Sequence, residues 1–153
     1  MIACYIIPIL YVALNYDPSE NPSVSNVICD EQCKNLIMVC MLMMGIGTLL
    51  YERERKCVKS MILISILLIG LYGLIWIDER NKMHYVFASI VFIAIFLFMV
   101  RHCICNVVYF WSMLVELLLL VSVVVNMDDD IFGAEVVYIL NFAFYYLYLH
   151  FIY

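Results

Sequence analysis

Charge is the scarcest commodity in this 153-residue chain, at 14% of residues, while apolar side chains make up 67%. An ordinary soluble domain has roughly 45–50% apolar and about 25% charged residues. A soluble fold of this length would lack the polar surface needed to cover so much Leu, Ile, Val, Phe and Tyr. Lipid-facing helices remove that difficulty. Basic residues are also few, eight in all, and no stretch has the density of a nucleic-acid patch. With only three histidines the chain cannot supply the ligand set of a histidine-rich membrane hydrolase or desaturase. It also lacks a Gly-rich phosphate loop, a serine-nucleophile motif and a Cys-x-x-Cys pair. Cys103-x-Cys105 is not a zinc spacing, so no metal or other cofactor is expected. No catalytic residue set emerges, and a non-enzymatic role is the expectation.

What the sequence does have is six apolar runs, over 1–14, 35–51, 61–77, 85–100, 104–125 and 131–153. Crossing a bilayer takes about 17–25 apolar residues. The last two runs meet that length. The middle three need a turn from their flanks, and the first is short. Unpaired backbone groups are not tolerated in lipid, so the runs must be helices. The expected fold is all-α, a single polytopic bundle of six transmembrane helices over 1–153. The first run lacks a basic leader and a cleavage site, and reads as a retained helix.

Basic residues give the expected orientation. Arg53, Arg55, Lys56 and Lys59 crowd the loop after the second run, and Arg101 follows the fourth. The opposite side has Lys34, Arg80 and Lys82. Five against three places both termini in the cytoplasm by the positive-inside rule. The long acidic loop holding Cys29 and Cys33 then faces the lumen or outside. A local disulfide and two free thiols are both open there. Cys57, Cys103 and Cys105 fall on the cytoplasmic side, where palmitoylation is the modification to expect.

Two polar stripes interrupt the apolar runs. In the fifth run Cys105, Tyr109, Ser112, Glu116, Ser122 and Asn126 share one face at helical spacing. Glu116 lies mid-span, where an ionisable group costs roughly 2.5 kcal/mol or more. It reads either as a proton or lipid-headgroup contact, or as a protonated carboxyl bonded to another helix. In the sixth run Glu135, Tyr138, Asn141, Tyr145 and Tyr148 form a second stripe, expected to bond across helices. His84 and Glu135 stand at similar depth, and a contact between them is expected to close the luminal end.

Four segments carry a family resemblance. They are Pro22-Ser-Val-Ser25-Asn26; Tyr51-Glu-Arg53-Glu-Arg55-Lys56; His84, Ala88 and Phe92 at intervals of four; and Ala134-Glu135. In this order the chain resembles the DRAM superfamily (damage-regulated autophagy modulators), which includes the PGAP-type and Sfk-type proteins. It departs from the pattern at its short first helix, at Asn26 and at Phe87. The resemblance implies six helices and a role in lipid organisation, GPI-lipid remodelling or autophagy. The expected location is the lysosome, Golgi, endoplasmic reticulum or plasma membrane. Membrane lipids are the implied partners, with other membrane proteins possible and nucleic acid excluded. Two other functions fit the residues: a small transporter or channel subunit using Glu116, and a structural subunit of a larger membrane complex.

Overall fold

The computed structural model describes residues 2–15, 17, 23–28, 31–78, 80–101, 106–125 and 132–152. Among these residues all regular structure is helical. The helices are α1 (Ile2–Asn15), α2 (Val24–Ile28), α3 (Glu31–Glu54), α4 (Val58–Trp76), α5 (Lys82–Val100), α6 (Val107–Val125) and α7 (Phe132–Ile152). Five of them, α3 to α7, are long and apolar enough to cross a membrane. The chain is built as a multi-pass membrane protein. The six apolar runs correspond to α1 and α3–α7, and α2 is an addition inside the long acidic loop.

Several boundaries differ from the apolar runs. Helix α3 begins four residues earlier and ends three later than 35–51, and α4 and α5 each start three earlier than their runs. Helical hydrogen bonding continues through the polar flanks, which is the extra turn the marginal spans needed. Helix α6 starts at Val107 rather than 104, because Asn106 accepts a bond from the Val108 amide at 3.0 Å and fixes the first turn there. At 14 residues α1 is about 21 Å long, short of a hydrocarbon core of about 30 Å. Pro8 also removes one of its backbone bonds.

Consecutive helices pack as neighbours along the bundle, and α5 also touches α7. Glycines let α4 and α5 approach closely: a methyl group at Gly73 would overlap the Phe87 ring, and one at Gly70 would press on Val91. Buried side chains form two clusters. The larger, nearer the basic loop, centres on Phe98, Met99, Tyr109, Tyr145, Tyr146 and Leu149. The smaller, at the opposite end, gathers Val12, Val24, Val27, Ile28, Ile37, Leu74 and Ile75. The outward faces are apolar, as on α6, where Trp111, Leu118, Val121 and Val125 are exposed. In water such a surface would be untenable; against lipid tails it costs nothing.

Two tyrosines set the register of α7 on α5. Tyr138 Oη donates to the Phe92 carbonyl at 2.8 Å, and Tyr145 Oη donates to the Met99 carbonyl at 3.1 Å. Donors and acceptors are both seven residues apart, so parallel helices are pinned at two successive levels. The Phe92 and Tyr138 rings add an edge-to-face contact at 4.8 Å.

Candidate functional site

The two mid-span stripes meet at Asn141. Ser112 Oγ donates to Asn141 Oδ1 at 2.9 Å, and Asn141 Nδ2 donates to the Ser112 carbonyl at 2.9 Å and to Glu116 Oε2 at 2.6 Å. Asn141 is therefore the hub between α6 and α7. Glu116 is fully buried, and its other oxygen, Oε1, has no partner. Tyr109 and Tyr138 are buried beside this network, as the spacing predicts. Cys105 and Asn126 lie outside the described residues.

At the end away from the basic loop, the expected His84–Glu135 contact is replaced by two separate bonds. Glu135 Oε2 accepts from the Val24 amide at 2.7 Å. His84 Nδ1 pairs with the Ile77 carbonyl at 3.0 Å, which ties the α5 start to the α4 end. Both side chains are buried. The reason is local supply: Val24 opens α2 and presents an otherwise unbonded amide, which a carboxylate satisfies better than an imidazole can. The bond joins segments 111 residues apart. It brings together Val24 and Glu135, which belong to two of the four segments that carry the family resemblance. Cys29 and the side chain of Cys33 lie outside the described residues, so their pairing is not described.

Between the two buried clusters runs an apolar cavity of about 250 Å³. Its wall comes from α1 (Pro8, Val12), α3 (Ile37, Gly45), α4 (Leu67, Leu71), α5 (Val91, Ile95) and α7 (Val136, Phe142). Glu135 stands at one end and Tyr146 at the other. Those two residues are eleven apart on α7, about 16 Å of helix. Ile139 and Leu140 also line it and are exposed. Thr48 and Glu135 are the polar exceptions in its wall, and Glu116 does not line it.

The basic end contains a cluster that charge counting alone had treated as a topology signal. Arg101, capping α5, donates through Nη1 to Ser60 Oγ at 2.5 Å and through Nη2 to Cys57 Sγ at 2.7 Å. Ser60 Oγ lies 3.4 Å from the same sulfur and also bonds the Glu52 carboxyl. Burial pushes the Cys57 thiol up, but the bonds from Ser60 and Arg101 outweigh it and hold the thiol below its ordinary range. Glu52 is buried, with Oε1 unpartnered. The signal that could have found Glu52 is its spacing from Gly45 and Thr48, which puts all three on the inward face of α3. The other basic residues, Arg53, Arg55, Lys56 and Lys59, are exposed. Lys56 adopts φ 55°, ending α3 in a turn where the Cys57 amide reaches the Glu52 carbonyl at 3.1 Å.

No family model, curated protein or solved structure matches this chain.

Proposed function

We propose that the protein holds a single lipid acyl chain in its lateral cavity and acts non-enzymatically in lipid organisation, as a member of the DRAM-like superfamily. The observation that carries this reading is the cavity itself. Its wall is apolar, it lies along the membrane-spanning helices, and exposed Ile139 and Leu140 in its lining would give it an opening toward lipid. The solvent that meets that opening is hydrocarbon. Glu135, at one end, supplies the polar limit at which a headgroup would stop. The Val24–Glu135 bond, between residues of two of the resembling segments, supports the family reading. In the orientation the basic residues imply, Glu135 is luminal and Arg53, Arg55, Lys56 and Lys59 meet anionic lipid in an endomembrane or the plasma membrane. Each is worth about 1 kcal/mol at such a surface.

The test is native mass spectrometry of the full chain released from mild detergent. Wild type should carry one retained lipid. Val91→Trp and Val136→Trp, which fill the cavity from α5 and from α7, should lose it while remaining monodisperse. Equal retention by both variants would refute the reading.

A further inference from the structure

Cys57 sits on the linker between α3 and α4, half-buried, with two donors converging on its sulfur: Arg101 Nη2 and Ser60 Oγ. The guanidinium comes from a residue 44 positions away, so the fold has been arranged to bring it there. A neutral thiol is a weak acceptor, whereas a carboxylate is the preferred partner of a guanidinium. Such a carboxylate is at hand. Glu52 is 1% exposed, interacts electrostatically with Arg101, and keeps Oε1 unpartnered. The cation is bonded to the sulfur while a buried acceptor beside it stays open. That arrangement suits a sulfur which carries charge in one state and loses it in another.

We propose that Cys57 is an S-acylation site: its sulfur, contacted by Arg101 and Ser60, accepts a long acyl chain from a fatty acyl thioester with a phosphate-bearing carrier. In the step, Sγ attacks the thioester carbonyl carbon. A new carbon–sulfur bond forms, the carbonyl bond to the carrier sulfur breaks, and the electron pair leaves with the carrier thiolate, which takes a proton from water. Nothing is oxidised or reduced.

Three features choose this occupant. Cys57 stands where the apolar part of α3 has ended and that of α4 is about to begin, so a chain attached to its sulfur enters hydrocarbon directly. Exposed Arg53, Arg55, Lys56 and Lys59 lie within four residues of it on either side and complement phosphate. The groups facing the sulfur are Arg101 at the end of α5 and Ser60 from α4, and Glu52 and Arg55 in turn act on this pair's surroundings, since Glu52 interacts with Ser60, Arg55 and Arg101. After acylation the sulfur is uncharged, and Arg101 has the open Oε1 of Glu52 to turn to. Modification would then pair α3 with α5 directly. This inference is independent of the lipid chain in the cavity.

The full chain, expressed in yeast fed an alkynyl palmitate, should carry hydroxylamine-sensitive label mapped by mass spectrometry to Cys57. Cys57→Ser should lose the label at that site with Cys103 and Cys105 intact. Absence of label on Cys57 in wild type overturns the proposal, whatever the fate of the variant. A second measurement addresses Arg101. The pH midpoint of iodoacetamide alkylation at Cys57 should lie below that of a free cysteine, and Arg101→Gln should move it upward. A wild-type midpoint at the free-cysteine value would also overturn the proposal.

Discussion

Replacing Asn141 by Leu removes the hub between α6 and α7, and its cost follows from the bonds it makes. Two go to Ser112 and one to Glu116. Hydrogen bonds between membrane helices average about 0.6 kcal/mol, so the Ser112 pair contributes about 1 kcal/mol. The Glu116 bond differs, because it is the bond Glu116 Oε2 makes in a fully buried site where Oε1 already has no partner. Removing it leaves the whole carboxyl unsatisfied, at a further cost of about 1–3 kcal/mol. Asn141→Leu should therefore destabilise the bundle by about 2–4 kcal/mol. The double variant Glu116→Leu/Asn141→Leu removes the stranded carboxyl as well, and should be more stable than Asn141→Leu alone, at a net cost of about 1 kcal/mol. Glu116→Gln keeps an acceptor for Asn141 and should cost less than about 1 kcal/mol. Steric-trapping measurements in bicelles read these free energies directly. A double variant whose loss equals the sum of the two single losses would refute the account, since the two residues would then be energetically independent.

Three further outcomes follow from the structure. Lys56→Gly should raise thermal stability by about 1 kcal/mol, because the left-handed backbone at this residue penalises any side chain; an unchanged melting curve would count against the α3 terminator. Gly73→Ala should lower stability by about 1–3 kcal/mol through collision with Phe87, and Phe87→Leu should restore part of the loss in the same assay. Glu135→Leu should raise hydrogen exchange across α2, since the Val24 amide loses its acceptor at a cost of about 1–3 kcal/mol, whereas Glu135→Gln should leave exchange nearly unchanged.

The spans were readable because lipid demands long apolar helices, and run length reports that demand. Their ends were less readable, since Lys34, Glu52 and His84 are polar yet helical: the backbone ladder does not stop where hydrophobicity does. Helix α2 was hidden because its five residues have little helical pattern of their own. Part of its anchoring comes from Glu135, far along the chain. The members of the Ser112–Glu116–Asn141 network stood out as rare polar groups in apolar runs, but which of them bond one another was not marked in the sequence. Tyr138 and Tyr145 were recognisable as bonding residues, but their acceptors were not, because a backbone carbonyl leaves no mark in a sequence. The His84–Glu135 pairing failed for the same reason: each found a main-chain partner. A cavity is an absence of atoms, and no residue pattern announces it. Arg101 had been counted only for its charge, and its geometry on Cys57 depends on how α5 ends.

The paired tyrosine bonds also decide which parts of the molecule are free to yield. With Tyr138 and Tyr145 fastened to consecutive levels of α5, a shift of α7 by one helical turn would break both bonds together. The α5–α7 pair therefore behaves as a rigid post. Across the cavity stands α1, short, interrupted by Pro8, and packed against α2 and α3. If the cavity holds a lipid chain as proposed, swelling of the bundle around a thicker guest would fall to that leaf. Spin labels spanning α5 and α7 should hold their separation during lipid exchange, while a pair spanning α1 and α7 should report the change.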